Sequence, residues 1–388
     1  MFYFMKKIVY LCTLVLLSLN VMAQIDLNDR NWSCTMIEDF NQPNRQFNNR
    51  FQEPLNKWIA YAMCLKSGVT KPVYLHNVYQ YANNYFDSNN GFLRISAYRA
   101  NQDSLKCGDY YIPPRKVCQQ NHYQLYYLSG MIETPTPLFQ YGYFEIRCKI
   151  PTHKGAFSGF WLYDSRDSTQ SNPPYYEEID IFEYSWNIAE DPNYVHNPNP
   201  HGIPDYYTFT SGVYFKHNGT IYDSYARNFP SLDGSGPNLS NWHTFACEWM
   251  PDHILWYCDG NVVNEFYDSQ HIPNHSLTLK TTYAIDDKYN YYNSDWMGTG
   301  YMYIDYINVY QLNWDCDTDE TITCQSDIDN FDYGVKKTIK ITSSLNEAKI
   351  RSTDKVTFRA TDSFEITGPF HTENGCEFTI IMQSCPND

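Results

Sequence analysis

The sequence predicts an all-β protein, a two-sheet sandwich followed by a smaller β unit. Three observations carry that prediction. Short segments with strand-like alternation recur along the chain. Gly, Asn and Asp turns separate them, and no long stretch has the periodicity of an amphipathic helix.

The chain opens with Lys6 and Lys7 ahead of the apolar run Ile8 to Leu17, and Val21-Met22-Ala23 offers small-residue cleavage before Gln24. This pattern predicts a signal peptide over residues 1–23, with Met5 as a second candidate start. The run is too short for a membrane span, and no later one reaches the roughly 18 apolar residues a span requires. Tyr10-Leu11-Cys12 lacks the small residues of a lipid-anchor signal. The expected location is periplasmic or extracellular.

Residues 24–311 carry the strand signals of the sandwich. Asn89-Asn90-Gly91 feeds the alternating Phe92 to Tyr98, a turn followed by a strand. Tyr141 to Ile150 alternates with Glu145 and Arg147 on one face, and Ala156 to Tyr163 reads as a buried strand. The polar loop Asp164 to Pro174 leads into the acidic segment Tyr175 to Tyr184. Ser185 to Tyr206 is rich in Asn and Pro and aperiodic, which predicts a long loop serving as a binding edge or lid. Ser211 to Phe215, Trp242 to Trp249, Leu277 to Ala284 and Tyr301 to Tyr310 read as further strands. His253 to Cys258, Asp259-Gly260 and Asn261 to Val263 predict a hairpin, since Asp-Gly suits a type I′ turn.

Gln311 closes this unit. Asp315, Asp317, Asp319, Glu320, Asp327, Asp329 and Asp332 predict an acidic linker over 312–332. Beyond it, Lys336 to Ile341, Val356 to Ala360 and Phe378 to Ile381 predict a small accessory β module over 333–388.

A formal net charge of −16 argues against nucleic acid, anionic membranes and highly sulfated polymers as partners. Thirty-six tyrosines and nine tryptophans supply flat apolar faces with polar edges, suited to sugar rings and equally to sheet packing. Of twelve cysteines, Cys12 lies in the leader, so the mature chain keeps an odd number and at least one thiol outside any intrachain bridge. Cys107 with Cys118, and Cys316 with Cys324, are the local pairs that spacing offers. No C-x-x-C or His-x-x-x-His spacing marks zinc, and His196 and His201 in the Asn/Pro loop read as surface residues.

The segment Tyr175-Tyr176-Glu177-Glu178-Ile179-Asp180-Ile181-Phe182-Glu183-Tyr184 places four carboxylates in a strand. Alternation puts Glu178 and Asp180 on one face and Ile179 and Ile181 on the other. Glu183 falls out of phase, and a one-residue β-bulge would return it to the face of Glu178 and Asp180. Glu177 faces away and reads as structural or exposed. Three acids on one face repel one another, so the pattern points to a use rather than to stability.

Glu178-Ile179-Asp180-Ile181-Phe182-Glu183 resembles the bulged Glu-x-Asp-x-x-Glu signature of glycoside hydrolase family 16, the laminarinase, lichenase and agarase family. Ser129 to Ile132, Tyr141 to Arg147, Gly159 to Leu162, His243 to Trp249 and Asp305 to Tyr310 resemble its other blocks in order, over roughly residues 31 to 311. The resemblance implies a concanavalin A-like β-jelly roll with a substrate cleft across its concave sheet, and retaining cleavage of a β-linked polysaccharide. It implies that Glu178 is the nucleophile, Glu183 the general acid/base and Asp180 the tuning residue between them. By the same carry-over Trp161, Tyr163, Tyr176, Glu145 and Arg147 are expected to contact sugar, with Trp186 as a further platform. Some relatives carry calcium on the convex side, but no run of oxygen ligands marks such a site here, and no cofactor is expected. The C-terminal segment weakly resembles the coathanger-stack modules of some secreted bacterial proteins.

Two departures bear on the substrate. Tyr176 stands where laminarinase- and lichenase-like members commonly carry Trp, and Lys280, Thr281 and Thr282 replace a late-strand Asn. The expected function is that of an exported, monomeric endo-β-glycanase, with β-1,3- or β-1,3-1,4-glucan first among substrates. An endo-β-galactanase acting on agar-like or host galactose-containing glycans is the alternative enzyme. A non-catalytic carbohydrate-binding protein on the same fold is the alternative of another class.

Overall fold

The computed structural model describes residues 32–40, 58–66, 73–75, 91–99, 125–135, 138–153, 155–164, 175–185, 208–228, 238–285, 299–331, 334–342 and 348–386. The expected signal peptide, the Cys107/Cys118 pair, His196, His201, Trp186 and most of the Asn/Pro loop lie outside them.

In chain order the first strands are β1 (Trp32–Glu38), β2 (Ile59–Lys66), β3 (Val73–Leu75), β4 (Leu93–Arg99) and β5 (Leu125–Glu133). There follow β6 (Gly142–Lys149), β7 (Ala156–Tyr163), β8 (Tyr175–Ser185), β9 (Phe209–His217) and β10 (Thr220–Asn228). Next come β11 (His243–Trp249), β12 (Ile254–Cys258), β13 (Asn261–Phe266), β14 (Thr278–Ile285) and β15 (Thr299–Leu312). The front layer runs β10-β9-β8-β7-β14-β5, and the back layer β4-β15-β6-β11-β12-β13. Among the described residues the two layers are hydrogen-bonded to each other through a short β5/β4 contact at Tyr98/Leu128 and Arg99/Tyr127, where the sheet folds over on itself.

Alternation makes each layer two-faced. On β6 Phe144, Ile146 and Cys148 are fully buried toward the other sheet, and on β8 Ile179, Ile181 and Phe182 do the same from the front. The layers meet at contacts such as Phe182 with Phe245, 4.5 Å between ring centroids. The expected hairpin forms as β12–β13, with Asp259 at φ 48° and Gly260 at φ 79°, the two positive values that a type I′ turn needs.

The acidic stretch after Gln311 is not a linker. Trp314–Ile322 forms β16 and Gln325–Asp329 a short helix, α1. They precede β17 (Val335–Ile341), β18 (Lys349–Ile350), β19 (Lys355–Ile366), β20 (His371–Thr372) and β21 (Glu377–Met382). β16-β17-β19-β21 stack in parallel, with register partners Trp314/Val335, Val335/Arg359 and Lys355/Glu377. The acids of β16 point outward or find a cation, as Asp315 does in Lys336, whose Nζ lies 2.7 Å from its Oδ2. Apolar residues between them, Ile322 above all, join Ile328, Ile339 and Phe358 in a second core. Cys316 is bridged to Cys385, not to Cys324. Trp314, Cys316 and Val335 pack with Trp32, Tyr143, Ala246 and Tyr257 on the outer side of the back layer. The module is therefore seated behind the sandwich. Among the described residues, no helix is long and apolar enough to cross a membrane.

Candidate active site

β8 carries the expected bulge. Against β7, Tyr163 pairs with Glu178, Trp161 with Asp180, Phe160 with Phe182 and Gly159 with Glu183, so Ile181 is the extra residue. The β9 register jumps at the same place, pairing Glu178 with Tyr214, Asp180 with Gly212 and Glu183 with Thr210. Residues paired across strands share a face. Glu178, Asp180 and Glu183 therefore stand on the outer face of the front layer with Tyr163, Trp161 and Tyr214, while Phe182 turns into the core.

A bulge breaks the ladder and frees a backbone group. Here the Asp180 carbonyl is met from the back layer, where the buried indole of Trp256 donates to it at 2.8 Å. Gly212 supplies the complementary adaptation on β9. A Cβ there would stand 2.1 Å from the Ser224 carbonyl and 2.7 Å from Tyr225 Cδ1. With hydrogen in its place, Tyr225 crosses β9 and its hydroxyl donates to Asp180 Oδ2 at 2.8 Å.

Asp180 is 3% exposed. Burial, then the carboxylates of Glu178 and Glu183, push its pKa well above the ordinary range, and the Tyr225 hydroxyl opposes them only in part. That direction favours the neutral acid, which in its hydrogen bond with Glu178 is the donor. Glu178 and Glu183 are only half-buried, facing the open side of the sheet. The Tyr176 hydroxyl donates to Glu178 Oε2.

The aromatic residues expected beside the acids are together. Trp161 to Tyr163 (5.6 Å), Tyr163 to Tyr176 (5.0 Å) and Tyr176 to Tyr214 (5.3 Å) form an edge-to-face series across β7, β8 and β9. Trp161 Nε1 donates to Thr282 Oγ1 at 3.1 Å, which fixes the indole in the row.

Glu145 and Arg147 are elsewhere. They lie on β6 in the back layer, on its outer side, where the whole thickness of the core separates them from the acids. Glu145 is buried and accepts from the Tyr143 hydroxyl at 3.1 Å, and Arg147 pairs with Asp305 and lies 4.9 Å over the Trp242 ring. Their expected sugar contact is corrected to a structural role: alternation assigns a face but not a layer. Glu177, expected to be structural or exposed, is not exposed. It is buried on the other side of β8, 2.6 Å from His217 Nε2 and 3.1 Å from His275 Nδ1. Sequence reasoning missed Tyr225, Gly212 and Trp256. None of them lies near the acidic motif in the chain: sheet register brings the first two to it, and the packing of the two layers the third.

His243, Cys258 and Asp259 place a ring nitrogen, a thiol and a carboxylate within 4.8 Å of one another at the sandwich end. His243 already engages Asp259 Oδ2 at 2.7 Å through Nδ1 and the Asn238 carbonyl at 3.2 Å through Nε2. The group therefore reads as the brace of the β12–β13 turn rather than as a metal centre.

Residues 80–308 match the family model described as Glycosyl hydrolases family 16. The kappa-carrageenase of Pseudoalteromonas carrageenovora is 31% identical over 153 residues, 38% of this chain and 35% of that protein. Endo-1,3-1,4-beta-glycanase EglC of Rhizobium meliloti (strain 1021) is 28% identical over 190 residues, 49% of this chain and 34% of that protein. The matches thus span about a third of the length of these curated relatives. Among solved structures, the catalytic domain of an endo-1,3-beta-glucanase (laminarinase) from Thermotoga petrophila RKU-1 aligns with a TM-score of 0.46 at 21% identity. That alignment covers 72% of this chain and 98% of that one.

Proposed function

The chain belongs to glycosyl hydrolase family 16, and on that premise we propose that it is an endo-acting, retaining β-glycoside hydrolase of polysaccharides. β-1,3- or β-1,3-1,4-glucan is the first substrate class, in keeping with the named activity of the Rhizobium relative. The observation that carries this reading is the bulge at Ile181, which returns Glu183 to the face of Glu178 with the buried Asp180 between them.

Glu178 attacks the anomeric carbon while Glu183 gives its proton to the glycosidic oxygen, and the released chain leaves as an alcohol. The sugar is then an ester of Glu178. Glu183, now a carboxylate, takes a proton from water, whose oxygen bonds to the anomeric carbon as the ester bond breaks. Both side chains end as they began, and two inversions leave the β configuration. Asp180, held neutral, donates to Glu178 and keeps a second negative charge out of the triad while Glu183 carries its proton. No cofactor takes part. The rings of Trp161, Tyr163, Tyr176 and Tyr214 offer the floor on which sugars lie.

The wider reading is of an exported monomer whose leader is residues 1–23, with the C-terminal module an accessory seated away from the cleft. Incubating the mature chain and Glu178→Gln with a polysaccharide panel, and assaying new reducing ends, tests the activity. Binding to a polymer without cleavage by the unaltered protein would favour a carbohydrate-binding protein instead. An endo-β-galactanase is the second enzymatic reading. It is supported by the kappa-carrageenase match, since carrageenan is a galactan, and by the Tyr176 hydroxyl on Glu178.

A further inference from the structure

The row of side chains through Asp180 continues past Trp161 to Lys280 on β14 and Glu133 on β5, which are register partners. Lys280 Nζ lies 2.8 Å from Glu133 Oε2, and the two side chains remain 10% and 15% exposed. The same ammonium stands 5.0 Å from the Trp161 ring centroid and 4.4 Å from that of Tyr163. Two aromatic faces and a carboxylate thus fix one cation on the sheet face that carries Glu178 and Asp180. With strands about 4.8 Å apart, β14 is about 10 Å from β8. That is roughly the reach of two sugar rings laid across the strands.

Position and charge together say what this pair would meet. Among the described side chains, the same face carries Glu133, Glu178 and Asp223, besides the neutral Asp180 and the proton-bearing Glu183, against Lys216 and Lys280. A sulfate or carboxylate on the substrate would enter a face where acids predominate and where the fixed cation is already matched. An ion pair at a cleft floor has another use. An ammonium carries three donors and a carboxylate several acceptor positions, so neither is exhausted by the other. Side by side, they offer a charge-assisted donor and acceptor to neighbouring hydroxyls.

We infer that the Lys280–Glu133 pair is a specificity element of this cleft: it reads hydroxyls of an uncharged sugar beside the Trp161 platform and discriminates against sulfated or uronic-acid residues there. The inference rests on the hydrolase reading and narrows it. It separates this chain from its carrageenase relative in substrate charge, whichever neutral backbone is cleaved. Glu133 does the excluding and Lys280 does most of the holding.

The test uses matched polymers: laminarin against chemically sulfated laminarin, and chemically desulfated κ-carrageenan against its native form. The unaltered protein is expected to cleave a neutral member at least about tenfold faster than its sulfated partner. Glu133→Gln leaves the Lys280 charge unmatched and should shift the neutral-to-sulfated ratio toward the sulfated polymer by about tenfold. Lys280→Gln should lower kcat/KM on the neutral polymer by about ten- to a hundredfold, the loss of a charge-assisted contact. Thermal melts accompany both variants, and where one fails to fold the ratio for the unaltered protein decides. Preference for a sulfated member, or ratios and kcat/KM unmoved in two folded variants, overturns this inference alone. Cleavage of no polymer at all overturns the hydrolase reading and this inference with it.

Discussion

The phenol of Tyr225 reaches Asp180 by passing over Gly212, and its hydroxyl ends 2.8 Å from the Asp180 Oδ2. Three neighbouring strands cooperate in this one contact, because the residue between donor and acceptor has no side chain. Gly212→Ala would set a methyl 2.1 Å from the Ser224 carbonyl, so β9 and β10 must separate or Tyr225 must swing away. The expected cost is about 1–3 kcal/mol of stability, read as a lower denaturation midpoint. Tyr225→Phe keeps the ring and removes only the hydroxyl, and should cost about 1 kcal/mol. Its loss also lets the Asp180 pKa rise further, since the hydroxyl is the group that lowers it.

Asp180 gives a stability prediction with a definite sign. Its pKa is raised in the fold by burial and by Glu178 and Glu183, whereas an unfolded Asp titrates at about 3.9. Below that value both states bind the proton and Asp180 costs nothing on this account. Above it the unfolded chain gains by ionising, and stability falls until pH passes the folded pKa. Asp180→Asn removes the proton linkage while keeping an acceptor for Tyr225. The variant should match the unaltered protein in melting temperature near pH 4 and exceed it at pH 7 by at least about 2 °C. It should also lose most of its activity. Equal differences in melting temperature at both pH values would contradict the neutral state assigned to Asp180.

Tyr176 holds Glu178 through its hydroxyl, and a donor to a carboxylate favours the charged form. In Tyr176→Phe the ring series survives but Glu178 loses this charge-assisted donor, and kcat/KM should fall roughly tenfold with the melting temperature nearly unchanged. An unchanged kcat/KM in the folded variant would show that the hydroxyl does not serve Glu178.

The Cys316–Cys385 bridge closes a separation of 69 residues around the C-terminal module. Its removal by Cys316→Ser with Cys385→Ser should cost about 2–4 kcal/mol of module stability. The module sits on the outer side of the back layer, so hydrolysis should be unchanged. Loss of activity at a temperature where the sandwich remains folded would mean that the module reaches the cleft.

What was legible in the sequence was whatever depended on local alternation. The broken phase at Glu183 foretold the bulge, and the exclusion of Glu177 followed from the same period. Alternation could not say that Glu145 and Arg147, properly placed on one face of β6, belong to the other layer. Nor could it find a strand in Trp314–Ile322, where aspartates hid the apolar positions and the next strand pairs in parallel, with no hairpin turn to mark it. Lys280 appeared as a departure from a family pattern. Its meaning emerged only when register set it between Trp161 and Glu133.

The central claim is that Glu178 and Glu183, brought to one face by the bulge at Ile181, work by double displacement. ¹H NMR of the sugar released in the first minutes of hydrolysis, before mutarotation, tests it most directly. The β-anomer is expected as the first product, and an α-anomer appearing first would contradict the assignment of Glu178 as the nucleophile.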